Sequence, residues 1–413
     1  MRRFLLLLVF ALLALPGGAP AATLGEQRVL LMLVTWGPEP YAPAHIRGQL
    51  DEAAAYMRSV SFGKTWLVGD VTPWLHALNV KPGCDTGAIA EAAQRSARAA
   101  GYDPARYTTL GIAMPRVEAC FWSGAYFPPG IWLNGASDRQ VIVHELGHTY
   151  GVSEEGSAWI CDPRCSARPY GNPFSVMGHG LSDFGAWEKN SFGWLDRIAE
   201  PAARLTLGAI DRTGPHPQAL RVLVAGDDYW LEYRPPAPLW PYANDAAPGI
   251  AVNAGSNGLG EPSRFAGQNL LLYDPVGRGR PAVQSGETFS VRGAFALQVL
   301  STGPDEAELA FRWTDRIRPG APTILKTTPR RGRLSVRWRR GVERGSGIAA
   351  HEISVDGRRV GRVPAVSPVA NVLVANDDRI TVRVTARRHV IRVVAVDRAG
   401  NRSRPAVRIV RLS

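Results

Sequence analysis

The segment HELGHTYG, from His144 to Gly151, sets two imidazoles four residues apart with a carboxylate directly after the first. On a helix this spacing puts His144 and His148 on one face about one turn apart, so both rings can reach a single metal ion. Glu145 then stands beside the metal without binding it, where a carboxylate can take a proton from water. Zn2+ suits such a nitrogen pair; in hydrolytic sites it takes three protein ligands and keeps a fourth position open. The third ligand must come from outside the pair. A turn at Gly151 swings residue 154 under the metal, and Glu154 there completes a His2Glu set that is chemically competent. Glu155 is the next candidate, followed by Asp162 and His179. A carboxylate in place of a third imidazole lowers the net charge of the site by one and makes the metal a weaker Lewis acid.

A capped helix has to carry these groups. Ser137 lies three residues before Gln140, the spacing of a capping box, and Val141, Ile142, Leu146 and Tyr150 continue the helical pattern. Gly151 is placed to end the helix in the left-handed conformation. Upstream, residues 26–35 read as a buried strand and residues 45–58 as a helix, which opens an α/β domain. Residues 107–114 form a second strand. Residues 125–133, broken by Pro128 and Pro129, read as an irregular edge strand. Beyond Leu195 short alternating segments separated by Gly, Pro, Asn and Asp predict an all-β domain over 201–316. After a linker at 317–323 a further β-sandwich follows.

Composition sets the compartment. Two arginines, an apolar run from Phe4 to Leu15 and small residues at Ala19 and Ala21 make residues 1–21 a signal peptide, too short in its apolar part to span a bilayer. No later segment is apolar for long enough to cross, so the mature chain is expected to be secreted, with periplasm or cell surface as variants of that location. Cys84, Cys120, Cys161 and Cys165 fit an oxidising environment. The favoured pairing is Cys84 with Cys120 and Cys161 with Cys165; the short second loop leaves free thiols or zinc ligands as its alternative. The net charge of +12 is concentrated after residue 318, where 21 Lys or Arg face 6 Asp or Glu. That asymmetry points to anionic cell-surface polymers as partners of the C-terminal domain, with codon bias as the plainer explanation. No specific nucleic-acid partner is expected.

Taken together, HELGHTYG, the cysteine-containing loop, YGNPFSVMGHG from Tyr170 to Gly180, AWEKNSFGWL from Ala186 to Leu195 and the upstream SFGKTWLVGDV from Ser61 to Val71 resemble the gametolysin family of metzincin metallopeptidases over roughly residues 24–200. The resemblance implies that Met177 forms an apolar floor beneath the metal, as the methionine of the metzincin turn does. It also sets His179 where some metzincins carry a tyrosine near the zinc, a position from which it would support the tetrahedral intermediate; a surface histidine is the alternative. The chain departs from the family at Glu154, which stands where metzincins carry a third histidine. In a gluzincin arrangement Glu188 would be the third ligand instead. The last segment, with Trp338 and VVAVDRAGNRS from Val393 to Ser403, resembles a fibronectin type III or related immunoglobulin-like module.

The expected architecture is therefore multidomain: signal peptide 1–21, an α/β metzincin-like zinc peptidase domain 22–200, an all-β accessory domain 201–316 and a basic fibronectin type III-like β-sandwich 317–413. The expected activity is hydrolysis of peptide bonds in extracellular or cell-wall proteins by a secreted zinc metalloendopeptidase, with peptide substrate along the edge strand of residues 125–134. The competing reading is a catalytically inactive homologue that serves as a secreted adhesin.

Overall fold

The computed structural model describes residues 23–76, 79–224, 226–256, 263, 265, 269–365 and 377–411. The signal peptide lies outside the described residues. The first region is a five-stranded sheet in the order β2-β1-β3-β5-β4, made of β1 (Gly25–Leu33), β2 (Thr65–Val71), β3 (Thr109–Met114), β4 (Gly124–Phe127) and β5 (Gly130–Asn134). All neighbours run parallel except β4, which is antiparallel to β5 at the end of the sheet. Strand β1 is apolar on both sides because both of its faces are covered. Val29, Leu31 and Leu33 pack with Ile46, Leu50 and Met57 of α1 (Pro43–Val60) and with Ile142 and Leu146 of α3 (Arg139–Thr149). Leu30 and Met32 pack on the other side with Ile89 and Ala93 of α2 (Thr86–Ala99).

Two expectations change in detail. The prolines do not make residues 125–133 one irregular strand: they form the turn between β4 and β5, so the inner strand β5 pairs with β3 and β4 alone is the edge. Helix α3 is capped one residue later than expected, because the Asp138 carboxylate accepts the Val141 N–H at 3.1 Å. Ser137 instead contacts the His45 ring at 3.1 Å.

Both cysteine pairings are present. Cys84–Cys120 ties the chain ahead of α2 to the loop that leads into β4, and Cys161–Cys165 closes the hairpin of β6 (Ala158–Cys161) and β7 (Cys165–Arg168). The disulfides fit an oxidising compartment. Among the described residues no helix is long and apolar enough to cross a membrane.

The remainder is β-rich. After α4 (Ala186–Ser191), a sheet in the order β7-β6-β13-β12-β11-β10-β8 joins the hairpin to β8 (Ile198–Ala199), β10 (Ala219–Leu223), β11 (Asp227–Arg234), β12 (Gly249–Ser256) and β13 (Leu270–Leu272), with β14 (Ala282–Val283) on β12. It packs on a second sheet of β15 (Thr288–Val291), β16 (Phe295–Thr302), β17 (Glu306–Trp313) and β9 (Arg204–Gly208) through Leu231, Val252, Phe295 and Leu309. The hairpin at 158–168 thus belongs to the middle sheet although it precedes residue 200 in sequence. The last region pairs β18 (Thr323–Arg330), β19 (Arg333–Arg339) and β22 (Asp377–Arg383) in one sheet. The facing sheet holds β20 (Ile348–Val355), β21 (Arg358–Pro364), β23 (Arg388–Asp397) and β24 (Ala406–Arg411). Trp338, Ile353 and Val393 fill the space between them.

Candidate metal centre

Helix α3 presents His144 and His148 side by side, with ring centroids 5.0 Å apart. Each ring is held from behind. His144 Nδ1 lies 3.0 Å from the Val176 carbonyl, and His148 Nδ1 lies 2.7 Å from the Val152 carbonyl. A carbonyl accepts only, so each Nδ1 carries a proton and each Nε2 is turned away from the backbone, the orientation that metal-binding histidines use.

The carboxylate that joins them is Glu155, not Glu154. Glu155 Oε2 is 3.0 Å from His144 Nε2 and 3.9 Å from His148 Nε2. The ligand atoms of the three residues all lie within 4.8 Å of one another. The reason is the path taken after Gly151, which has the expected positive φ of 104°. Val152 turns its side chain into the core. Gly156 N–H then binds the Met177 carbonyl at 2.6 Å, and Gly156 C=O accepts from Asn172 N–H at 3.0 Å. With residues 152 and 156 pinned, Glu155 faces the histidines and Glu154 is exposed.

The other candidates fall outside this group. Asp162 sits exposed in the β6–β7 turn, and His179 is exposed beyond the methionine turn. Glu188 is buried, but its oxygens accept from Ser175 Oγ at 2.7 and 2.9 Å and from the Gly185 N–H, so it braces the start of α4 rather than the metal group. Met177 is fully buried under α3, and a Cβ on Gly147 would come within 2.4 Å of its sulfur. Glycine at 147 is therefore what lets the methionine lie against the helix between the two histidines.

Glu145 points toward the edge strand. A Cβ on Gly124 would meet Glu145 Oε1 at 2.4 Å, so β4 can pass only where it has no side chain. Glu145 Oε2 is buried and accepts no hydrogen bond among the described residues. Burial pushes its carboxyl up to about 7, opposed by the His144 charge and reinforced by Glu155. Burial lowers the His148 pKa. Glu155 is pushed up by burial, yet the bonds from His144 and Tyr170 outweigh this and hold it below the usual carboxylate range.

Tyr170 carried no signal as a site residue in the sequence. Its ring stacks on His144 at 5.9 Å with 28° between planes, and its hydroxyl bonds to Glu155. Its φ of 59°, unusual for a bulky residue, directs the ring back over the helix.

The loop that delivers β4 is braced by Asn134. This fully buried side chain donates to the carbonyls of Val117, Cys120 and Trp122 at 3.1, 3.3 and 2.9 Å and accepts the Val117 N–H at 2.7 Å. The methionine turn is clamped from the other side by buried charges. Lys189 Nζ meets Asp183 at 2.7 Å and the Ile210 carbonyl at 3.0 Å, while Glu232 accepts the Ala186 N–H and pairs with Arg234.

No protein-family model matches this chain, and no curated protein matches it in sequence. Among solved structures, it overlaps the spore cortex lytic enzyme SleM of Clostridium perfringens with 14% identity over 28% of this chain and 38% of that one, at a TM-score of 0.19. The fibronectin(III)-like modules of Clostridium thermocellum CbhA overlap with 13% identity over 32% of this chain and 87% of theirs, at 0.18. The glycoside hydrolase domain of Endo-D from Streptococcus pneumoniae R6 overlaps with 9% identity over 50% of this chain and 37% of that one, at 0.20. Overlaps this partial assign neither a fold nor an activity to the chain.

Proposed function

We propose that the protein is a secreted zinc metalloendopeptidase whose N-terminal region is similar to the gametolysin family of metzincins. The observation that carries this reading is convergence. Both Nδ1 atoms are committed to backbone carbonyls, and both Nε2 atoms face Glu155 Oε2, at 3.0 Å from His144 and 3.9 Å from His148. Two neutral imidazoles and a carboxylate fit Zn2+ by charge and donor type, so His144, His148 and Glu155 would hold it. When bound, zinc supplies Lewis acidity toward a peptide carbonyl and toward water.

The chain's own residues do the rest. Glu145 takes the proton of the attacking water on its unpartnered oxygen and returns it to the leaving amine. Tyr170 holds Glu155 through its hydroxyl and covers one face of His144. The outer edge of β4 lies beside Glu145 and offers main-chain donors and acceptors to an extended peptide, which would add as a further strand. The exposed rings of Tyr126 and Phe127 give that edge an apolar surface for substrate side chains.

The test is to purify the mature chain, measure bound zinc and assay casein cleavage with and without chelator and with Glu145→Ala. Cleavage that persists in the variant rejects the assignment, and a chain that binds no zinc leaves the secreted adhesin in its place. The C-terminal sheets carry exposed Arg358, Arg359, Arg388, Arg392, Arg408 and Arg411, a surface suited to anionic cell-surface polymers. Retention on such polymers should fall with salt; salt-independent retention counts against that partner.

A further inference from the structure

A second cluster lies where the middle β region meets the C-terminal sheets. Asp315 follows β17, Glu343 follows β19, and Asp397 closes β23. Their carboxylate oxygens lie within 4.8 Å of one another, and the residues are only 5, 5 and 2% exposed. Among the described residues none of the three pairs with a lysine, arginine or histidine. The nearby Arg398 guanidinium donates to the carbonyls of Ser346 and Leu223 at 3.2 and 3.4 Å.

The cluster is held rigidly. Asp315 Oδ2 accepts from Ser346 N–H at 2.8 Å and Ser346 Oγ at 2.9 Å, and Asp315 Oδ1 accepts from Ile317 N–H at 2.8 Å. Asp397 accepts from the Asn401 N–H at 2.7 Å and from its Nδ2 at 2.9 Å; the same Nδ2 also reaches the Asp315 carbonyl at 3.2 Å. A Cβ on Gly345 would come within 2.1 Å of Asp315 Oδ2, so glycine permits the close approach. One group remains unsatisfied. Glu343 Oε1 takes the Gly345 N–H at 2.6 Å, while its Oε2 is buried and has no hydrogen-bond partner among the described residues.

Three like charges cannot be buried together without a cation or protons. Burial, with Asp397 and Asp315 beside it, pushes the Glu343 carboxyl up to about 7. The donors are all oxygen, which selects a hard cation over zinc. Mg2+ holds most of its water and takes one or two carboxylates, whereas Ca2+ accepts several with flexible geometry.

We propose that Asp315, Glu343 and Asp397 form a calcium site that fastens the C-terminal pair of sheets to the end of the middle β region. The site is separate from the histidine cluster and stands whether or not the peptidase reading holds.

The test uses the full mature chain after removal of loosely bound cations. Titration with CaCl2 should give one bound ion per chain, and Tm should rise by roughly 5–10 °C at a hundredfold excess over Kd. Tb3+ provides a second probe, because Trp313 lies two residues before Asp315 and would sensitise its emission until Ca2+ displaces it. Glu343→Gln keeps the acceptor for Gly345 but removes the charge, so it should fold and lose both responses, as should Asp397→Asn. No calcium-dependent change in the wild-type chain, or unchanged calcium binding in both variants, overturns the proposal. If the variants fail to fold, the wild-type titration and terbium displacement decide it alone.

Discussion

The histidine cluster and the carboxylate cluster answer the same problem with different donors. At His144, His148 and Glu155 two imidazole rings share one carboxylate, and backbone carbonyls set the direction of each ring. At Asp315, Glu343 and Asp397 three negative charges are buried together, and backbone and side-chain N–H groups hold the oxygens. A third arrangement lies between them: Asp183 is fully buried too, but Lys189 is its cation. Where the chain supplies its own positive charge the region is complete without a metal. Where it does not, the donor set states which metal fits.

Five substitutions sharpen this contrast. The largest effect is expected from Glu145→Ala, which should reduce casein cleavage by about 10²–10⁴-fold while zinc content stays at the wild-type value. Loss of zinc in that variant would make Glu145 a structural or binding residue rather than the base. Next, Glu155→Ala should lower zinc affinity by more than the ~10–100-fold that outer partners cost, whereas Glu154→Ala should leave it unchanged. Metal analysis of the two purified variants separates them, and the reverse order would restore residue 154 as the ligand. Lys189→Ala strands the Asp183 carboxylate and should destabilise the fold by about 3–5 kcal/mol, read as a shift in the denaturant midpoint. A change below about 1 kcal/mol would mean that Asp183 is accommodated without its cation.

The smallest effect concerns Glu188, whose carboxyl burial pushes up to about 7 from an ordinary 4.5. The folded state therefore binds this proton more tightly than the unfolded chain does. Its contribution to stability is full below about 4.5 and is lost as pH rises through about 7. Glu188→Gln should flatten that part of the Tm profile between pH 5 and pH 8, and an unchanged profile would assign the slope to other groups.

Much of the first cluster could be read in advance because its parts are close in sequence. The i, i+4 spacing on α3, the left-handed Gly151 and the short Cys161–Cys165 loop rest on local geometry, whereas Cys84–Cys120 spans 36 residues. The choice between Glu154 and Glu155 did not, since it depends on Val152 entering the core and Gly156 bonding to Met177, contacts made with a turn some twenty residues away. The spacing to Gln140 favours Ser137 as the cap, whereas its neighbour Asp138 fills that role. Helix α2 did leave a signal: Asp85 accepts the Ala88 N–H, and Ile89, Ala93 and Ala97 recur at helical spacing. Tyr170 and the trio of Asp315, Glu343 and Asp397 left none, because only tertiary folding brings them to their partners.

The hairpin that carries Cys161 and Cys165 has a practical consequence. Its inner strand lies parallel to β13, with Ala158 beside Leu271 and Trp159 beside Leu272, and the Leu271 N–H binds the Ser157 carbonyl at 3.0 Å. Ser157 is two residues from Glu155, so the scaffold behind the third ligand is completed by chain more than a hundred positions downstream. A fragment stopped near residue 200, the obvious place to trim from sequence, would lose that neighbour and leave a bare strand margin prone to self-association. The smallest piece that keeps the site supported must extend past Leu272.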